Sequence, residues 1–204
     1  MSAKTWRRQE LSINCFEIIY YFYPEDTALR RLLLAHCGQV RGKALAIWKD
    51  FAGSGLEIDA GLVAGGAMLH DIGIGRCHAP GILCEGTESY ICHGVIGAEM
   101  LREYGRRHGL NLEAYARICE RHTGTGITAE EIRNQKLPVP ERDYLPETPE
   151  EKLVCLADKF YSKSGGMKEK SISRIRQSML KFGVDSVARL EEMCRMFGVM
   201  DMKR

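Results

Sequence analysis

His36, His70, His93 and His122 fall on the apolar stripes of four separate predicted helices, and nothing else in this chain limits its fold so sharply. Together with Asp71 and Asp158 they would leave many polar groups inside one core with nothing to neutralise them, unless a cation sits among them. Taken singly, each has a plainer explanation, since a lone inward histidine is usually a hydrogen-bonded core residue and Asp158 can cap or pair locally. The combination is harder to dismiss, because a bound divalent ion satisfies all six at once. His70 and Asp71 are adjacent, and neighbours on a helix point about 100° apart, so they share a target only if the helix ends there. Ala60, Val63, Ala64, Ala67 and Met68 read as a helical face, and Gly73, Gly75, Pro80 and Gly81 stop it.

The rest of the pattern is also helical. A first helix is predicted over about Thr5 to Tyr23, ending at Pro24, and Asp26 or Thr27 caps a second that runs to about Phe51. Leu29, Leu33, His36, Val40 and Ile47 form the buried stripe of that second helix. Gly53-Ser54-Gly55 separates it from the helix of the His-Asp pair, after which a loop of roughly fifteen residues is expected, a length that often serves a binding site. Its glycines suit either a mobile lid or tight turns. A fourth helix starts near Ser89 and carries His93, Ile96, Met100 and Tyr104; a fifth, about Leu112 to His122, carries Tyr115, Ile118, Cys119 and His122 on one face. Turns and a brief helix at Ala129 to Gln135 follow. Thr148-Pro149-Glu150-Glu151 then starts a sixth helix, which carries Asp158 and is ended by Gly165-Gly166. Two amphipathic helices, about Ser171 to Phe182 and Ser186 to Phe197, complete the pattern. No segment shows sustained period-two alternation, so the expected fold class is all-α, a helical bundle with the metal site in its core, in a single domain over 1–204.

Composition narrows the function classes. With 29 basic and 27 acidic residues, no global charge steers the chain toward nucleic acid or an acidic membrane surface. No run of eighteen apolar residues and no apolar leader core is present, so a soluble, cytoplasmic protein is expected. Eight cysteines with no Cys-x-x-Cys pair read as reduced core residues; Cys77 and Cys84, flanking the glycine-rich loop, stand apart from the rest. There is no Walker-type phosphate loop, nucleophile elbow or aromatic platform for bases.

The order His36, His70-Asp71, Asp158 in a helical context resembles the HD-domain superfamily of metal-dependent phosphohydrolases, and His70-Asp71-Ile72-Gly73 matches its HDIG signature letter for letter. The resemblance spans about Thr27 to Ser164, leaving 165–204 as a C-terminal helical extension. The stretch from His122-Thr123-Gly124 to Ala157-Asp158 is similar to a little-characterised group of small HDIG proteins. More loosely, the chain is similar to bacterial HD enzymes that split diadenosine tetraphosphate symmetrically. The resemblance implies that His36, His70, Asp71 and Asp158 hold one ion and Asp71, His93 and His122 a second, with Asp71 as bridge. His70 and Asp71 are then the catalytic pair, and the reaction is hydrolysis of a nucleotide or other small phosphate ester through a metal-activated hydroxide.

Mixed imidazole and carboxylate ligation suits iron, manganese, zinc, cobalt or nickel better than magnesium, and the resemblance implies iron or manganese among them. Candidate substrate contacts are Arg76 and His78 on the loop, Arg121 beside His122, and Lys159 beside Asp158. Two departures bear on this reading. Many two-metal relatives carry Lys soon after the HD pair, where this chain has Ile74, Gly75 and Arg76; the Gly-Tyr-Pro signature of cyclic-dinucleotide phosphodiesterases is absent. The alternative is a metal-containing nucleotide-binding or sensing module without turnover.

Overall fold

The computed structural model describes residues 13–51, 55–164 and 166–200. Among these, the elements run α1 (Cys15–Phe22), α2 (Ala28–Phe51), α3 (Ala60–Leu69), β1 (Cys77–Ala79), β2 (Cys84–Glu85), β3 (Glu88–Ser89), α4 (His93–His108), α5 (Glu113–Arg121), α6 (Ala129–Gln135), α7 (Pro149–Lys159), α8 (Ile172–Met179) and α9 (Val184–Met196). The fold is all-α apart from one very small sheet.

Most boundaries follow from capping chemistry. Thr27 Oγ1 accepts from the Arg30 amide at 3.1 Å and starts α2. Asp59 does the same for α3, accepting from the Gly61 and Leu62 amides at 2.8 and 3.0 Å. At α7, Thr148 and Glu151 cap one another: the Glu151 amide donates to Thr148 Oγ1 at 3.2 Å, and the Thr148 amide to Glu151 Oε2 at 3.4 Å. Thr148→Ala is expected to cost about 1 kcal/mol, lowering the melting temperature by roughly 2–4 °C in a scanning calorimeter.

Three expectations are corrected. α1 begins at Cys15, not near Thr5, because the Asn14 side chain accepts from the Phe16 and Glu17 amides and so holds residue 14 outside the helix; the Thr5–Ser12 part of that expectation lies outside the described residues. The segment after the His-Asp pair is a three-stranded sheet in the order β2-β1-β3, with β1 antiparallel to β2 and parallel to β3. Its strands are two or three residues long, too short to display alternation. α7 ends at Lys159, ahead of Gly166, because the Phe160 and Tyr161 amides turn back to the Ala157 and Asp158 carbonyls and the Phe160 carbonyl accepts from Lys170. Gly53, Ser54 and Gly165, also expected to break helices, lie outside the described residues.

Two apolar clusters build the interior. One packs Ile18, Leu33, Leu69, Leu101 and Leu112 from α1 to α4 and the turn before α5. The other packs Val40, Val63, Leu153, Ile175 and Leu190, so α8 and α9 share their core with α7. Helix α2 crosses from one cluster to the other between Cys37 and Val40, and α3 does so between Ala67 and Met68. His36 and His70 therefore stand at the seam. No helix among the described residues is long and apolar enough to cross a membrane.

Candidate metal centre

Six side chains from five helices or their ends meet at this seam. His36 comes from the middle of α2, His70 and Asp71 from the end of α3, His93 from the first residue of α4, His122 from the end of α5, and Asp158 from the last turn of α7. His36, His70, Asp71, His93 and His122 are all buried.

The two oxygens of Asp71 face different partners. Oδ2 lies 3.2 Å from His36 Nε2 and 3.1 Å from His70 Nε2, while Oδ1 lies 3.4 Å from His93 Nε2 and 3.5 Å from His122 Nε2. Asp158 Oδ1 adds to the first group, 3.0 Å from His36 Nε2 and 3.6 Å from His70 Nε2. In the second group the Nε2 atoms of His93 and His122 are 3.0 Å apart. Two groups of donor atoms, His36, His70 and Asp158 on one side and Asp71, His93 and His122 on the other, are each compact enough to hold one ion, and Asp71 Oδ2 also faces the imidazoles of the first.

One local device orients three of the four rings. Nδ1–H of His70 donates to the Ala67 carbonyl at 2.7 Å, that of His93 to Tyr90 at 2.6 Å, and that of His122 to Cys119 at 2.6 Å. In each case the acceptor is three residues back, where a helix end or 3₁₀ turn exposes a carbonyl. Using Nδ1 in this way directs Nε2 to the centre, as metal-ligating histidines require. His36 Nδ1 has no such partner.

Charge supports the same arrangement. Burial would raise Asp71, but the charges of His70 and Lys163 and the polar contacts of His122 and His36 hold it well below the usual carboxylate range. Asp158 is likewise held down, with Lys159, His36 and His70 outweighing its burial. Burial and the neighbouring His122 press His93 down to about 3, so its ring is neutral and able to ligate. His70 is raised, because Asp71 outweighs its burial; a cation at Nε2 would take the place of that proton. His70 Nε2 and both Asp71 oxygens lack a hydrogen-bond partner of good geometry. A buried imidazole nitrogen and carboxylate without well-aligned hydrogen bonds, the Lys163 ammonium being the one lysine or arginine cation beside Asp71 Oδ2 among the described residues, fit a divalent ion. Cys37 also lies close, its Sγ 3.9 Å from His70 Nδ1, and forms a further group of possible ligand atoms with His70 and Asp71, while burial pushes its thiol up.

The substrate contacts expected from sequence divide. Lys159 is at the centre, its Nζ 2.7 Å from Asp158 Oδ2 and donating to the His122 carbonyl at 3.1 Å. Arg76, His78 and Arg121 are not. Arg76 is exposed and faces a groove with Glu88 and Cys92, and His78 is exposed on β1. Neither lines the cavity that opens onto Asp158. Arg121 is buried with its guanidinium on the Leu145 carbonyl at 2.6 Å and Glu147 at 2.7 Å, because α5 turns that residue toward the 145–147 segment while His122 turns inward.

Two residues escaped notice. Lys163 places Nζ 2.5 Å from Asp71 Oδ2. Tyr90 stacks on the His93 ring, with centroids 4.6 Å apart and an interplanar angle of 18°. Lys163 sits beyond the end of α7, where helical spacing carries no information; Tyr90, three residues before His93, had a local signal in its carbonyl position.

The HD-domain profile matches residues 33–162, a span that includes all six converging side chains. An uncharacterized protein of Methanocaldococcus jannaschii is 42% identical over 126 residues, 62% of this chain and 64% of that protein. A tRNA (cytidine(56)-2'-O)-methyltransferase of Thermoplasma volcanium is 31% identical over 180 residues, 88% of this chain and 45% of that protein. Another of that name from Picrophilus torridus is 44% identical over 108 residues, 52% of this chain and 26% of that protein. The chain thus spans less than two thirds of the length of these curated relatives. Among solved structures, the HD domain of the L. monocytogenes phosphodiesterase PgpH aligns over 86% of this chain and 99% of that one, with a TM-score of 0.44 and 15% identity. The profile match covers well over half of the sequence and brackets the whole cluster of imidazoles and carboxylates, and on that ground the chain belongs to the HD-domain superfamily of metal-dependent phosphohydrolases.

Proposed function

We propose that this protein hydrolyses a phosphoester or phosphoanhydride bond of a nucleotide or other small phosphorylated metabolite, using two divalent ions. The observation that carries this reading is the division of Asp71, one oxygen toward His36 and His70 and the other toward His93 and His122. His36, His70, Asp71 and Asp158 would hold one ion, and Asp71, His93 and His122 the other. Their mixed imidazole and carboxylate character suits a transition-metal ion better than magnesium, and the resemblance to two-metal HD proteins makes iron or manganese the first ions to test. The ions, when bound, supply an acidified water and compensation for charge on the phosphoryl oxygens. The chain's own groups do the rest. The Nδ1–H bonds to Ala67, Tyr90 and Cys119 fix the ligand rings before substrate arrives. Lys159 and Lys163 bring positive charge beside Asp158 and Asp71, where a substrate phosphate would sit. Eight buried cysteines, none of them in a disulfide, support a reducing compartment such as the cytoplasm.

The test is metal analysis of protein purified without chelators, followed by a screen of nucleotides and phosphomonoesters. A stoichiometry near two and release of phosphate are expected; metal-loaded protein that turns over none of these substrates ends the hydrolase reading. A second reading has one observation in its favour: two relatives bear the name of a methyl-transfer enzyme, not of a hydrolase. On that reading the centre binds a nucleotide without cleaving it, and nucleotide raises the melting temperature with no product formed.

A further inference from the structure

The cavity that opens onto Asp158 measures about 320 Å³, near the lower end of small-molecule sites, and four lysines line it: Lys159, Lys163, Lys170 and Lys181. Their charges are not equivalent. At the floor, Lys159 and Lys163 are 7% and 10% exposed, and both are answered by the carboxylates of Asp158 and Asp71. Toward the mouth, Lys170 is half-buried and Lys181 exposed, and neither has an ion-pair partner among the described residues. Lys181 only rests over the Phe182 ring, 4.7 Å from its centroid. Around Lys170 the charges are mostly of its own sign. Burial first, and then Lys159, Arg174 and Lys181, hold it below the usual lysine range against the pull of Asp158.

Bringing unpaired ammonium groups together around one cleft costs energy that an anion between them would return. On the hydrolase reading the cleaved phosphate belongs at the floor, beside Asp158. Lys170 and Lys181 stand further out and have no part in holding ions. Both also lie beyond residue 162, where the HD-domain match ends, so this wall of the cavity is supplied by the chain's own later segment.

We infer that Lys170 and Lys181 form a second phosphate subsite, and that the substrate is a phosphoanhydride carrying at least two linked phosphates. This rests on the hydrolase reading only for the position of the phosphate that is cleaved. A monophosphate would reach the floor and leave the outer lysines unused.

The experiment is calorimetric titration of the manganese-loaded protein with methylphosphonate and with methylenediphosphonate, a pair that differs by one phosphonate and resists hydrolysis. Wild type is expected to bind the diphosphonate at least about tenfold tighter, the effect of two exposed charge contacts. K170Q/K181Q should lose that preference, keep its methylphosphonate affinity within about twofold, and unfold at the wild-type temperature; K170R/K181R should restore the preference. Wild type without a preference, or K170Q/K181Q with the wild-type preference intact, overturns the subsite. Turnover is measured separately on the same proteins. A lysine-dependent preference in a protein that hydrolyses nothing upholds the subsite and removes the hydrolase; hydrolysis of phosphomonoesters without any such preference does the reverse.

Discussion

Asp71→Asn is expected to empty both ion positions and abolish turnover, while the helical content stays as it was. The side chain is fully buried, and each of its oxygens faces a different pair of imidazoles. Asparagine keeps the shape but loses the charge and turns one end into an NH₂ group, which cannot ligate a cation. Ion affinity should fall by at least about a hundredfold, the loss already typical of mutating a residue that merely supports a ligand. A second consequence follows from Lys163, which would face a neutral amide instead of a carboxylate 2.5 Å away. Its buried ammonium would be left unpaired, so some loss of thermal stability should accompany the loss of metal. His122→Ala touches only one of the two clusters and should remove one ion, not two. Metal analysis by mass spectrometry alongside a phosphate-release assay separates these outcomes. If Asp71→Asn protein retained two ions, a bridging role for this carboxylate would have to be abandoned.

Gly73→Ala is expected to be among the most damaging single changes in the chain, although it adds one methyl group. The backbone at Gly73 is ordinary helical geometry, φ −84° and ψ −6°, so alanine meets no conformational strain there. The obstacle is space. A Cβ would lie 2.2 Å from the His93 carbonyl oxygen and 2.5 Å from the Gly97 nitrogen, both backbone atoms of α4 that cannot swing aside. Gly97 in turn has Cys119 Sγ 2.4 Å from its own would-be Cβ, so α4 is pressed against α5 as well. The helix carrying His93 must move. A cost of about 3 kcal/mol or more is expected, seen as a drop of roughly 6–12 °C in melting temperature. The ion held by His93 and His122 should be lost preferentially, since His36, His70 and Asp158 come from other helices. Gly81→Ala is the control: nothing lies within 4 Å of its would-be Cβ, and it should behave as wild type. The last letter of the His-Asp-Ile-Gly run is thus a packing requirement, imposed by the close passage of α4 over the end of α3.

Much of the site was legible before any coordinates because its parts lie in regular elements. His36 sits on the stripe of α2 with Leu33 and Val40, and all three are buried. His93 and His122 could be placed inward by the same spacing, and the end of α3 at His70 could be placed from the glycines that follow. The cap at Thr148, with Pro149 and the acids after it, marked the start of α7 to the residue and put Asp158 on that helix, whereas its end at Lys159, set by backbone turning back on itself, left no mark. The small sheet after the pair was not legible, since strands of two or three residues leave no periodic trace. Basic residues misled for a related reason. Adjacency to His122 suggested Arg121, yet neighbouring residues at a helix end diverge, and its guanidinium runs to Leu145 and Glu147.

The sequence by itself determined the all-helical class, the inward histidines and the acidic partners that could share an ion with them. Those properties follow from period and residue chemistry, which are local. Beyond Lys159, only the tertiary structure decided which cations line the approach to the centre: Lys163 reaches Asp71 from an irregular segment 92 residues away in the chain, and Lys170 and Lys181 line the same cavity from across a turn and a helix. Such contacts depend on the path of non-periodic backbone and on how α8 and α9 pack against α7, and no local pattern encodes that path.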